Sequence, residues 1–212
     1  MARRTADPGM AGRTRESRDR RHQPDVGILS HTLATQALAL ELQCGLCLLR
    51  PWRKSDAALI TRHANDRDVW LNLRDRFPHP YTAADARAYI RSVSAETPAL
   101  SFVIVVGEDP AGGIGLRLGD DIERRSAEIG YWLGRSYWGR GIATAAVRVV
   151  TAYAFTSLDL LRVFALPFTE NAASVRVLEK AGYVREGCLR SSAVKAGQVR
   201  DQYLYAAVRP EP

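Results

Sequence analysis

A glycine-spaced turn between a predicted strand and a predicted helix is the segment of this chain best suited to bind a ligand. Residues 137–144 read Tyr-Trp-Gly-Arg-Gly-Ile-Ala-Thr. At a helix N-terminus, unpaired backbone N–H groups point outward and the helix dipole adds partial positive charge. Gly139 and Gly141 have no Cβ, so the backbone there can come close to a phosphate. The pattern therefore predicts a site for a phosphorylated ligand.

Two regular elements must position this turn. Residues 128–133, Glu-Ile-Gly-Tyr-Trp-Leu, are rich in aromatic and β-branched residues and predict a strand. After the turn, apolar residues recur at helical spacing from Ile142 to Tyr153, which predicts an amphipathic helix over 142–156. A strand thus delivers the turn directly to a helix N-terminus.

Composition limits the class of protein. The chain has 212 residues, of which 46% are hydrophobic and 25% charged, as in ordinary globular proteins. No apolar run approaches the roughly 20 residues that span a bilayer. We therefore expect a cytoplasmic protein with no membrane partner. The net charge of +7 favours anionic ligands without choosing among a nucleotide cofactor, RNA and a membrane surface.

The cysteines do not indicate a metal site. Cys44 and Cys47 have the C-x-x-C spacing of redox motifs and of half a zinc site. A second pair and a nearby histidine are missing, so four zinc ligands cannot be assembled. We interpret both as incidental small apolar residues and expect no metal. With Cys188 the count is odd, which favours a reducing cytoplasm.

The chain divides into two compositional units. Residues 1–44 form an Arg-rich N-terminal extension, whose first 27 residues have too few apolar side chains to order. Residues 26–42 are more apolar and suit a docking helix or a loosely attached segment. The basic tail could make weak contact with nucleic acid or a ribosome. Residues 45–212 predict a compact α/β domain.

Further elements of the domain follow from local signals. Ser55 is expected to cap a helix that ends near Ala64. Thr82 and Asp85 resemble a capping box before a helix over 86–93, and Gly182 suits the end of a helix over 172–181. The remaining predicted strands are 46–50, 101–106, 113–118, 162–166, 183–185 and 199–208.

Five segments, in order, resemble one family. They are F-P-H-P-Y-T at 77–82, E-I-G-Y-W-L at 128–133, W-G-R-G-I-A-T at 138–144, N-x-x-S-x-R-V-L-E-K-A-G-Y at 171–183 and E-G-x-L-R at 186–190. Together they resemble the GNAT N-acetyltransferase superfamily, in particular its branch of ribosomal-protein alanine acetyltransferases. The resemblance covers residues 45 to 209.

The resemblance implies a fold and a cofactor site. The fold is a mixed, strongly twisted central sheet flanked by helices, with acetyl-CoA lying where two central strands splay apart. Amides near Leu133 would steady the thioester carbonyl, and Asn171 would contact the pantetheine amides. The pyrophosphate would be held by the turn, which comprises Gly139, Arg140, Gly141, Ile142, Ala143 and Thr144.

Two residues are candidates for the chemistry of acetyl transfer. Glu128 lies on the central strand near the expected acceptor and is the candidate general base; the alternative is a solvated carboxylate at the strand start. Ser174 matches a family position proposed to protonate the departing thiolate; the alternative is a serine bonded within its own helix. Some relatives carry a glutamate after E-G-x-L-R, where this chain has Ser191 and Ser192. His79 could line the acceptor pocket or simply pack.

The acceptor and two rival classes stay open at the level of sequence. A protein N-terminal α-amino group is the leading acceptor, and a polyamine, amino acid or aminoglycoside-like amine is the alternative. A dinucleotide-binding site of the G-x-G-x-x-G type requires a third glycine after the first two, and residues 142–144 of this chain do not supply it. A nucleic-acid-binding protein would act through the basic tail instead.

Overall fold

The computed structural model describes residues 40–210. In chain order, its strands and helices within that range are β1 (Leu42–Gln43), β2 (Leu48–Arg50), α1 (Asp56–Ala64), α2 (Arg67–Trp70), α3 (Ala83–Val93), β3 (Ser101–Val106), β4 (Asp109–Leu118), β5 (Ser126–Leu133), α4 (Ile142–Ser157), β6 (Arg162–Ala165), α5 (Ala172–Ala181), β7 (Val184–Lys195) and β8 (Gln198–Val208). Two short 3₁₀ turns lie at Asp121–Glu123 and Arg135–Tyr137.

All eight of these strands form one sheet in the order β1-β2-β3-β4-β5-β6-β8-β7. The β5–β6 pair is parallel and the other neighbours are antiparallel. Alternate residues of β3 face opposite sides, as the period of a strand requires. Ile104 packs in the core under α4, whereas Val103 packs in a second cluster with α1 and α3. The predicted mixed sheet flanked by helices is confirmed.

The sheet opens in its middle. Pairing between β5 and β6 runs from Ser126 opposite Arg162 to Glu128 opposite Phe164. The other edge of β5 stays paired with β4 as far as Leu133. The backbone of β5 beyond Glu128 is therefore exposed along the gap toward β6, which creates the cleft that the resemblance implied.

Short sequence signals predict some ends of helices and strands correctly and miss others. Thr82 and Asp85 form a complete capping box, although the helix begins at Ala83 rather than 86. Gly182 ends α5 with a left-handed φ of 94°. The strand predicted at 113–118 is too short, because β4 already begins at Asp109. The strand predicted at 183–185 begins instead at Val184 and continues to Lys195 as β7.

The expected cap at Ser55 is wrong. Ser55 has helical backbone angles and its side chain caps no N–H group. Asp56 instead holds the segment before the helix, because its carboxylate accepts the backbone N–H of Arg53 at 2.8 Å. The same carboxylate is held by both terminal nitrogens of Arg50 at 2.8 Å. A buried bidentate ion pair thus fixes the start of α1.

The interpretation of the C-x-x-C pair is also wrong. Cys44 and Cys47 are joined by a disulfide, at a tight turn in which the Cys44 N–H donates to the Cys47 carbonyl. Sheet pairing begins at Leu42, which lies within the last residues of the predicted extension. The expectations for residues 1–39 lie outside the described residues. No helix of the described segment is long and apolar enough to cross a membrane.

Candidate active site

A cleft of about 1180 Å³ follows the opening between β5 and β6. It is bounded by the glycine turn, the N-terminal ends of α4 and α5, and the loop after α2. Nine of the ten site residues expected from sequence line this one cleft, namely Glu128, Leu133, Gly139, Gly141, Ile142, Ala143, Thr144, Asn171 and Ser174. Arg140 does not line it and is exposed at the rim.

The glycine turn leaves its backbone accessible. Gly139 and Gly141 have φ values of 76° and 77°, a left-handed conformation that glycine adopts without strain. A Cβ added at Gly139 would meet no heavy atom within 4 Å, so the space above the turn is open. In α4, the N–H of Ala145 donates to the Gly141 carbonyl, and no described side chain caps the helix. The first N–H groups of α4 therefore lack an intrahelical acceptor.

Trp138 links this turn to the central strand. Its indole Nε1 donates to the Leu133 carbonyl at 2.7 Å. The sequence does not reveal this contact, because the partner carbonyl belongs to the end of a strand. The contact fixes the end of β5 relative to the turn, and so fixes two parts of the predicted cofactor site relative to each other.

Ser174 makes a contact across the cleft that the sequence does not reveal. Its Oγ lies 2.8 Å from the hydroxyl of Tyr131, which reaches from β5 to α5. Asn171 caps α5, because its Oδ1 accepts the Ser174 N–H at 3.0 Å. Burial raises the pKa of Tyr131. The Tyr131 hydroxyl therefore stays protonated at neutral pH and can only share its proton in a hydrogen bond.

Glu128 is clamped by two arginines. Arg74 donates to one carboxylate oxygen at 2.5 Å and Arg117 donates to the other. Burial alone would raise the pKa of Glu128, but the two guanidinium groups outweigh burial and lower it. The side chain is only 12% exposed. Glu128 is thus a weaker base than an isolated glutamate. Sequence analysis missed Arg74, which lies 54 positions away along the chain.

Aromatic side chains line the far end of the cleft. Phe77 stacks on Tyr81 with 4.5 Å between ring centroids and meets Trp132 edge-on at 5.3 Å. His79 is not among the lining residues; it stacks on Trp70 instead, so of the two interpretations the packing one fits the structure. This end of the cleft offers an apolar, ring-lined wall beside the Glu128 clamp.

The open mixed sheet, the uncapped helix behind a glycine turn and the cleft between them define a coenzyme A-dependent acyltransferase fold. Residues 47–184 match the acetyltransferase (GNAT) domain, and the chain belongs to this family. It is an N-acetyltransferase with acetyl-CoA as its co-substrate.

Three proteins that are similar to this chain align with most of its length. The uncharacterized N-acetyltransferase p20 of Bacillus licheniformis is 34% identical over 77% of this chain and 93% of its own. The spermidine N(1)-acetyltransferase of Escherichia coli K12 is 27% identical over 77% and 90%. Mycobacterium smegmatis RimJ, solved in complex with CoA-disulfide, is 29% identical over 80% and 86%, with a TM-score of 0.68.

The residues present fit acetyl-CoA. Gly139 leaves room for a diphosphate, and the exposed N–H groups at the start of α4 supply its donors. The unpaired edge of β5 offers backbone partners to the amides of a pantetheine arm. Acetyl-CoA supplies the activated acetyl group. A dinucleotide-binding fold would have a mainly parallel sheet, whereas this sheet is mainly antiparallel.

Proposed function

We propose that this enzyme acetylates the free α-amino group of a peptide or protein N-terminus, by direct transfer in a ternary complex. The observation that supports this acceptor is the paired-arginine clamp on Glu128 at the acceptor side of the cleft. A carboxylate of low basicity suits an amine that already loses its proton easily.

The pKa of the acceptor decides how much help it needs. An α-amino group titrates near ~8, so roughly a tenth of it is neutral at pH 7. A side-chain amine titrates near ~10.4, which leaves less than about one part in 10³ neutral. Because Glu128 is a weak base, the α-amino group is the better match.

Each site residue then has a defined role. Glu128 receives the acceptor's proton, directly or through water. Backbone N–H groups near Leu133 stabilise negative charge on the carbonyl oxygen, and residues 139–144 hold the diphosphate. Ser174 donates a hydrogen bond to the departing thiolate, which takes its proton from water. Neither hydroxyl gives up its own proton, because burial raises the pKa of Tyr131, an aliphatic hydroxyl is a weaker acid still, and a thiol titrates near ~8.5. Tyr131 orients Ser174 through their hydrogen bond.

A thiol-release assay with acetyl-CoA distinguishes the acceptors. The panel is a peptide with a free N-terminus, the same peptide N-formylated but carrying an internal lysine, spermidine and an aminoglycoside. We expect the free N-terminus to give the highest kcat/KM and the blocked peptide almost none. A faster reaction with spermidine, the substrate named for one relative, would contradict the proposal and favour a small-molecule amine.

A further inference from the structure

A cluster of polar side chains lies beside the glycine turn, and of its members only Tyr137 lines the cleft. Its centre is Asp109, the first residue of β4. One carboxylate oxygen accepts the hydroxyl of Tyr137 at 2.6 Å and lies 2.9 Å from His63 Nε2. The other oxygen accepts from Arg62 at 2.5 Å. Asp109 thus joins the end of α1 to the 3₁₀ turn that leads into the glycine turn.

Packing brings the same elements into direct contact. A Cβ added at Gly134 would lie 2.7 Å from Nδ1 of His63, so the histidine ring rests against bare backbone. The rings of His63 and Tyr137 meet edge-on, with centroids 5.5 Å apart. The backbone over 134–137 is therefore pressed against α1, and its position depends on that helix.

Tyr137 also supports the only cation of the glycine turn. The Arg140 guanidinium lies over the Tyr137 ring, 5.4 Å from its centroid. Arg140 is exposed at the rim of the cleft. A flexible side chain there would lose rotamer freedom on binding an anion, and the contact with Tyr137 reduces that entropic cost. One aromatic ring thus carries a hydrogen bond on its hydroxyl and a cation on its face.

We propose that Asp109 is a positioning residue for the diphosphate of acetyl-CoA, acting through Tyr137 on the glycine turn and on Arg140. The proposal rests on the diphosphate role of residues 139–144. Glycines at 139 and 141 make the turn conformationally permissive, so an external anchor is needed to hold one geometry. A turn that populates its binding-competent form only part of the time binds more weakly in proportion.

The charge state of Asp109 fits this role. Burial alone would raise its pKa, but hydrogen bonds from Tyr137, Arg62 and His63 outweigh burial and lower it. Asp109 is therefore ionised at neutral pH and only accepts hydrogen bonds. The Tyr137 proton is correspondingly retained, since the Asp109 contact raises the pKa of Tyr137.

Tyr137→Phe tests the proposal with two acetyl donors. S-acetylpantetheine carries the thioester and the pantetheine arm but lacks the nucleotide diphosphate. We expect kcat/KM for acetyl-CoA to fall about tenfold, the effect of one hydrogen bond to a charged group. The value for S-acetylpantetheine and the KM of the acceptor should not change. Asp109→Asn should give the same pattern, and Tyr137→Ala, which also removes the ring under Arg140, a larger fall for acetyl-CoA alone.

Tyr205→Phe is the matched control, because Tyr205 also donates to a carboxylate, that of Glu179 at 3.0 Å, and does not line the cleft. This variant should leave kcat/KM unchanged for both acetyl donors. Equal losses with both donors in Tyr137→Phe, or no loss with acetyl-CoA, would overturn the proposal. A wild-type enzyme that uses both donors equally well would instead refute the diphosphate site itself, and the role of Asp109 with it.

Discussion

Gly139→Ala separates the structural role of the glycine turn from its binding role. The residue has φ = 76°, where an L-residue other than glycine costs about 1–2 kcal/mol. No heavy atom lies within 4 Å of the new methyl group, so this conformational strain is the whole cost to the unliganded protein. The free energy of unfolding should fall by that amount, which lowers Tm by several degrees in a domain of this size, at about 2–4 °C per kcal/mol.

Coenzyme binding should fall much further. The methyl group occupies the open space that the diphosphate would enter, and would displace at least one hydrogen bond to a charged oxygen, worth about 1.5–3 kcal/mol. The dissociation constant for coenzyme A, measured by isothermal titration calorimetry, should rise about 10- to 150-fold.

Gly197→Ala provides a control with matched strain. Gly197 has φ = 75° and likewise no heavy atom within 4 Å of an added Cβ, but it lies in the β7–β8 turn and does not line the cleft. It should lose the same thermal stability as Gly139→Ala and keep the wild-type affinity for coenzyme A. Equal affinities in the two variants would refute the argument that the turn at 139–141 binds the diphosphate.

Four further substitutions test the remaining contacts. Ser174→Ala should lower kcat about 10- to 100-fold, the effect of one hydrogen bond to a charged sulfur, and Tyr131→Phe should lower it less than tenfold; an unchanged kcat in Ser174→Ala would show that Ser174 does not contact the leaving thiolate. Because the pKa of Glu128 is lowered on folding, its stabilising effect is full above its ordinary value of 4.5 and is lost as the pH falls through the lowered value. Denaturation at a series of acidic pH values should therefore show less loss of stability in Glu128→Gln, and identical curves would disprove the clamp. Asp56→Ala leaves the 9%-exposed Arg50 without its partner and should cost about 3–5 kcal/mol by urea denaturation; a cost below 1 kcal/mol would show that the pair is not buried.

The features that the sequence predicts correctly depend on a few neighbouring residues. The capping box at Thr82 needs only Asp85, three positions on, and the left-handed end at Gly182 needs only glycine's freedom. Such signals involve only residues that are close along the chain. The five motifs that indicate the family are local in the same way.

The features that the sequence missed depend on partners brought together by folding. Ser55 is a normal capping residue, but its side chain caps no N–H group in this structure. The start of the helix is fixed instead by Asp56, whose carboxylate is held by Arg50 from β2. Tyr131 and Ser174 are 43 positions apart and meet only across the opened sheet. The basicity of Glu128 could not be estimated from its own strand, since one of its two arginines comes from the loop after α2.

The two halves of the cleft differ in how far the sequence alone predicts them. The half that fits acetyl-CoA is made mainly of backbone N–H groups and glycines, whereas the acceptor half is made of side chains from separate elements. Lys195, in the β7–β8 hairpin, is 1% exposed, with its Nζ 2.7 Å from Asp75 and over the ring of Trp70 at 3.9 Å. Asp75 adjoins Arg74, which clamps Glu128. The hairpin, the loop after α2 and the candidate base are therefore linked by a chain of contacts, and we expect substitutions along this chain to change acceptor binding more than coenzyme binding.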